Sequence, residues 1–254
     1  MKKDNMLFAG LGLIVLLVAL VDWIPVPKQS NYQIEIVGAE QNFLTESDVL
    51  RLLGQSPEKA DADEAALSPI YTPKADLGQL EARVKANPFV GHCEVARDVR
   101  GQILVRIEEN QPVARVLTAN GGEGFYLTLQ GKQLPLSKNF TPHTLLITGE
   151  GTQAMQAPDF WEQSEGKQVL QFLQYVHQDP LWAAQCAQVD VDQKGSWTMY
   201  PQVGQHRFEL GNLENIEKKL HYLRHAFYQH ILPRKGWGAY QVVSVRYEGQ
   251  IVCR

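Results

Sequence analysis

The stretch Asp76–Arg115, DLGQLEARVKANPFVGHCEVARDVRGQILVRIEENQPVAR, sets out a helix, a stop and a β-hairpin in succession. Leu77, Leu80 and Val84 fall on one helical face, Asp76 is placed to cap the N-terminus with Gln79 three residues on, and Asn87-Pro88 ends the helix. Cys93 and Val95 then alternate with Glu94 and Ala96. Arg100-Gly101 makes the turn, and Ile103, Val105 and Ile107 alternate with Leu104, Arg106 and Glu108. A unit of this kind buries one sheet face under helices and leaves strand edges open, which suits binding better than chemistry.

Upstream, Tyr32–Val37 alternates as a first strand ending at Gly38, and Thr45 with Asp48 three residues later predicts a capped helix. Leu44 and Val49 can form its hydrophobic staple, Val49, Leu50, Leu52 and Leu53 supply the buried face, and Gly54 ends it. The connection 55–74 carries Pro57, Pro69 and Pro73 and reads as a surface insertion. The order to Glu108 is therefore strand, helix, helix, strand, strand.

Downstream the pattern turns mainly β. Val113–Leu117, Phe125–Leu129, Leu134–Leu136 and His143–Thr148 read as strands, followed by an amphipathic helix capped by Ser164 with Val169, Leu170, Leu173 and Val176 inward. Ala187–Val191, Ser196–Tyr200 and Gln205–Leu210 form a meander with turns at 193–195 and 202–204. Asn212 is placed to cap a second helix bearing Ile216, Leu220, Leu223 and Phe227. The last hairpin pairs Tyr240–Tyr247 with Gln250–Arg254.

The composition is that of an ordinary globular protein long enough for two domains, and a net charge of −4 without a basic cluster gives no electrostatic footprint for DNA or RNA. The exception is the start. Met6–Val21, MLFAGLGLIVLLVALV, has no charged side chain, and with Asp22, Trp23 and Ile24 it reaches the length of a bilayer core, roughly 30 Å. Lys2 and Lys3 precede it, which keeps the N-terminus cytoplasmic and exports everything after Pro25. No small-x-small cleavage site follows, so the segment reads as an uncleaved anchor.

The βααββ order with LEARVKANPFV and ILVRIEENQPVARV resembles a POTRA domain. That resemblance implies a sheet in which the first strand lies beside the last and the second is an edge. The apolar start, the POTRA-like unit, FYLTLQGKQLPLS, TLLITGEG, ELGNLENIEKKLHYLRHAF and the closing YQVVSVRYEGQIVC together resemble the bacterial FtsQ/DivIB cell-division family over the whole chain. The resemblance implies an α+β fold: a single N-terminal transmembrane helix, a βααββ POTRA-like domain, then a mainly antiparallel β-domain with two packed helices. The expected division is a cytoplasmic tail at 1–5, the transmembrane helix at 6–24, a linker at 25–31, the POTRA-like domain at 32–109 and an FtsQ-type β-domain at 110–254.

The resemblance further implies a non-enzymatic inner-membrane scaffold at the division septum, in contact with the bilayer through 6–24. It would bind FtsL/FtsB (DivIC-type) partners and link them to septal peptidoglycan synthesis, with other divisome components meeting the POTRA-like domain and no nucleic acid bound. Many family members continue beyond the final strand, whereas this sequence stops at Arg254. The last strand reads either as an edge covered by the protein itself or as an open edge on which a partner segment adds by main-chain hydrogen bonds; the resemblance implies the second, with Tyr247, Gln250, Ile251, Val252, Cys253 and Arg254 as the expected partner-binding residues. The competing readings are a POTRA-containing envelope assembly or transport factor and a membrane-anchored cell-wall enzyme. The first usually carries repeated units and a barrel; the second requires a clustered nucleophile.

Catalytic constellations are sparse, with no GxSxG, no GxxxxGK[ST] and no CxxC, and no cofactor is expected. His221, His225 and His230 invite a metal reading, but no carboxylate follows at matching spacing and a wet helix flank accounts for them. Asp190-Val-Asp192 before Gly195 suggests a calcium loop, yet Pro201 stands where the bidentate acid belongs, so a hairpin turn is expected. Glu108 and Glu109 point to opposite strand faces and read as solvated charges at a domain junction. Cys93, Cys186 and Cys253 read as small apolar residues, with a Cys186–Cys253 bridge open only if their strands meet.

Overall fold

The computed structural model describes residues 32–38, 43–54, 76–99, 101–119 and 123–254. Its first unit contains β1 (Tyr32–Val37), α1 (Glu46–Leu52), α2 (Leu77–Lys85), β2 (Val90–Arg97) and β3 (Ile103–Glu109). The strand order is β1-β3-β2, with β1 parallel and β2 antiparallel to β3. Local chemistry explains the helix starts. Thr45 Oγ1 accepts from Asp48 N (3.2 Å) while Asp48 accepts from Thr45 N (3.0 Å), a reciprocal capping box, and donation from the Thr45 hydroxyl (2.6 Å) and then from Thr45 N holds the Asp48 carboxyl below its usual range. Asp76 accepts from Gly78 N and Gln79 N at the start of α2, and Asn87 accepts from Phe89 N as the chain turns into β2. Val49, Val84, Cys93, Val105 and Ile107, all almost wholly buried, join helices to sheet, each large side chain contributing about 1.5–3 kcal/mol.

The second unit is a nine-stranded sheet of order β12-β11-β10-β9-β8-β7-β4-β5-β6. Its strands are β4 (Pro112–Val116), β5 (Phe125–Thr128), β6 (Gln133–Pro135), β7 (Leu145–Thr148), β8 (Cys186–Val191), β9 (Trp197–Pro201), β10 (Arg207–Gly211), β11 (Val242–Ser244) and β12 (Val252–Cys253). Between β7 and β8 come two 3-10 segments, α3 (Ser164–Gln178) and α4 (Pro180–Gln185). Between β10 and β11 come α5 (Ile216–Tyr222), a π-helical segment (Leu223–Ile231) and α6 (Leu232–Lys235). Both helical runs share one core with the sheet, through Val169, Phe172, Leu173 and Trp182 on one and Ile216, Leu220, Leu223 and Phe227 on the other.

The expected fold needs correction. Among the described residues no helix is long and apolar enough to cross a membrane. The longest regular helix, α3, has 15 residues and carries charged side chains, about 22 Å of helix against a core of roughly 30 Å. The α+β class with a large sheet stands, and no transmembrane helix is found among the described residues. The expected tail, span and linker at 1–5, 6–24 and 25–31, and the connection 55–74, lie outside the described residues. The large sheet is also mixed, parallel at β4/β7, β7/β8 and β10/β11. The β7/β8 and β10/β11 pairs flank helical crossovers, since adjacent parallel strands cannot be joined by a hairpin. The helical content is accordingly two runs rather than two helices. Ser164 does not cap α3, and α5 starts after Asn215 in the left-handed region (φ +52°) rather than at Asn212.

The two units meet through aromatics. Phe43, just before α1, stacks on Phe89 (centroids 4.8 Å) and meets Phe140 (5.4 Å) and Tyr126 (6.0 Å) edge-on. Glu109, at the end of β3, accepts from Leu44 N (2.7 Å) and Phe43 N (3.4 Å), and burial pushes its carboxyl above the usual range. Glu109 is thus a buried acceptor and not the solvated charge expected; Glu108 is exposed.

Candidate functional site

The large sheet ends on one side at β6 and on the other at β12. Leu134 of β6 is buried in the aromatic junction. No strand among the described residues pairs with the outer side of β12.

The ladder fixes which β12 groups face outward. Arg254 N donates to Val242 O (2.9 Å) and Val242 N to Arg254 O (3.0 Å), so this pair exchanges both bonds. In an antiparallel ladder the next pair, Cys253 with Val243, turns its N–H and C=O away. The outward backbone groups of the edge are therefore those of Cys253 and, two residues earlier, Ile251. Side chains divide the other way: Ile251 and Cys253 pack on the sheet core, while Val252 is 44 % exposed.

Arg254 is fastened by a buried acid. Glu209, on β10, accepts from Arg254 Nη2 (3.0 Å) and lies 3.6 Å from Arg246 Nε, so the edge is tied across two strands. Tyr247 is 70 % exposed and lies in the β11–β12 connection rather than on the preceding strand, because β11 ends at Ser244. Beside it a pocket of about 190 Å³ is lined in part by Asn215, Lys218, Tyr222, Arg246, Tyr247 and Gly249. Its inner wall is held by Lys219, whose ammonium donates to Leu210 O (3.0 Å), Asn212 O (2.7 Å) and Asn212 Oδ1 (3.0 Å). Burial lowers the Lys219 pKa. Asn212 therefore anchors a lysine in place of capping a helix.

The structure gathers all six expected partner residues, Tyr247 and Gln250 to Arg254, at one sheet edge. Sequence reasoning passed over Glu209 and Lys219. An acid between Phe208 and Leu210 reads as ordinary strand alternation, so no local signal marks Glu209 as buried and paired with Arg254.

The family model described as FtsQ/DivIB, C-terminal related, matches residues 111–254, the whole of the nine-stranded sheet. The chain belongs to this family. FtsQ/DivIB membership gives the protein a role in cell division, in association with the septum and among interacting division proteins, in a family that is generally non-enzymatic. The comparison with curated proteins finds no match.

The chemical alternatives have ordinary positions. His221 and His225 lie on the exposed flank with ring centroids 4.4 Å apart, and His225 Nδ1 is 2.7 Å from Gln229 Oε1. Among the described residues no cluster of three or more His, Cys, Asp or Glu side chains could hold a metal. Asp192 Oδ1 accepts from Lys194 N and Ser196 N, the geometry of a tight turn. Ser164 and Lys167 have Ser-x-x-Lys spacing, a pattern the sequence reading took to be absent. Both are exposed on the first turn of α3; Ser164 borders an open groove of about 760 Å³ that Lys167 does not line. β8 and β12 are separated by three strands, so Cys186 and Cys253 do not meet, and both are free.

Proposed function

We propose that this FtsQ/DivIB-family protein is a non-enzymatic divisome scaffold that captures a segment of an FtsL/FtsB-type partner on the outer side of β12 and links it to septal peptidoglycan synthesis. The observation that carries this reading is the unpaired edge itself: the outward N–H and C=O groups of Ile251 and Cys253, next to exposed Val252 and Tyr247. Added strands gain register from main-chain bonds and specificity from side-chain pockets. The pocket beside Tyr247 is of a size for one partner side chain, and Arg254 is pre-positioned by Glu209. In this reading residues 32–109 form a POTRA-like domain that meets other divisome components, and 110–254 form the partner-binding β-domain.

The ladder gives a paired test. Ile251→Pro deletes an outward donor and should abolish partner capture while the fold persists, whereas Val252→Pro deletes an inward donor and should detach β12. Pull-down of the FtsL/FtsB-type pair, with circular dichroism on each variant, reads both effects. A folded Ile251→Pro protein that binds as well as wild type excludes this edge.

A further inference from the structure

His206, immediately before β10, is only 2 % exposed, yet among the described residues neither ring nitrogen has a hydrogen-bond partner. Its surroundings are aromatic. Phe208 lies edge-on at a centroid distance of 4.8 Å, Phe227 of the π-helical segment at 4.9 Å, and Trp237 stacks over the ring at 6.0 Å. Gly204 permits this closeness: its φ is +105°, and a Cβ there would fall 2.7 Å from the imidazole. Trp237 is itself 43 % exposed, so the imidazole is roofed by a ring with one side on solvent.

A neutral imidazole survives in such a place at modest cost, but an imidazolium would be a buried charge without an acceptor. The neighbouring titratable and charged groups offer no compensation. From the π-helical segment comes Tyr228, a phenol that burial pushes far up and that stays neutral. From α6, leading to Trp237, come Arg234 and Lys235, both exposed cations. On β10 itself Arg207 is a further exposed cation, and the Glu209 carboxylate is occupied by Arg254 and Arg246. Burial alone holds the His206 pKa below its ordinary value.

We propose that His206 is an acid-sensitive latch, which in its neutral form lets the strap 232–241 close over β10 and on protonation releases it. The strap runs directly into the partner edge. Arg207 N donates to Gln241 O (3.0 Å), and Gln241 N and Val242 N both donate to Arg254 O (2.8 and 3.0 Å). Releasing the strap therefore loosens β11 and, with it, β12. The sign follows from linkage: the open form has an ordinary imidazole, so closure is fully favoured above about pH 6.5 and is lost as the pH falls toward the depressed value of the closed form. The consequence for partner capture rests on the edge reading above; the latch does not.

The test is backbone hydrogen exchange over residues 236–245 of the full-length chain at pH 7.5 and 5.0, corrected for the intrinsic pH dependence of exchange. Opening should become about tenfold more frequent at pH 5.0, with a ceiling of about 30-fold set by the 1.5 pH units below 6.5. His206→Phe, which cannot be protonated, should lose the response, and His206→Gln serves the same purpose if the larger ring is not accepted beside Gly204. Equal protection at both pH values in the wild type, or an unchanged response in a folded neutral variant, overturns the latch. A latch that responds as expected in a chain whose β12 captures no partner leaves the latch standing and overturns only the edge reading.

Discussion

The two ends of the nine-stranded sheet differ in what packs beside them. At the β6 end the sheet face is packed: Leu134 and Tyr126 are buried against Phe43, Phe89 and Phe140, and Glu109 ties the joint by accepting two backbone donors. At β12 no strand among the described residues covers the edge, a two-residue strand with an exposed valine and an exposed tyrosine beside it. An uncovered edge is a liability in an isolated protein, normally suppressed by cover or charge. The capture site proposed above lies at the end that has no such aromatic cluster.

The contrast can be broken most forcefully at the packed end. Phe43→Ala removes the ring shared by all the aromatics at the junction and should cost about 3–5 kcal/mol in denaturant unfolding. A loss below about 1 kcal/mol would mean that the junction is not a cohesive core. At the open end, Glu209→Ala removes the acceptor holding Arg254 and leaves buried space. It should cost about 1–2 kcal/mol and raise exchange at β11 and β12 before any change in the first unit.

Acid sharpens the comparison. Burial raises the Glu109 carboxyl pKa, so as pH falls through that raised value toward the ordinary glutamate value of 4.5 the folded form gains relative to the unfolded one. Glu109→Gln keeps an acceptor, should change neutral-pH stability by about 1 kcal/mol or less, and should remove that gain from the stability profile. The His206 end responds in the opposite sense. The smallest expected effect is Val252→Ala, about 0.5 kcal/mol or less in stability, since its side chain is half exposed; its effect should appear in partner affinity instead.

Local signals in the chain were read accurately where short-range chemistry dominates. Tyr32–Val37 forms a strand with those boundaries, the Thr45–Asp48 box is present, and Leu80 and Val84 face the core from α2. The misreadings arise where distant contacts decide. The parallel neighbours of β7 and β10 are chosen by crossovers that no local periodicity reports. Asn212 has the composition of a cap but is claimed by Lys219 seven residues away, and the left-handed Asn215 takes the turn. The expected Tyr240–Tyr247 strand shrinks to Val242–Ser244 because Arg246 turns toward Glu209 and Tyr247 projects into solvent. The final hairpin was legible because apolar alternation and a Gly turn mark it, although Tyr247 falls in its connection and not on a strand. Which backbone groups face outward was not, because that depends on the Arg254–Val242 pairing.

The most direct test of the central claim is photocrosslinking in living cells from a probe at Val252 of the full-length chain, with adducts identified by mass spectrometry. The open-edge account predicts adducts to small FtsL/FtsB-type division proteins, lost when Ile251 is also changed to proline. Adducts confined to this chain itself, from a folded and division-competent protein, would contradict it.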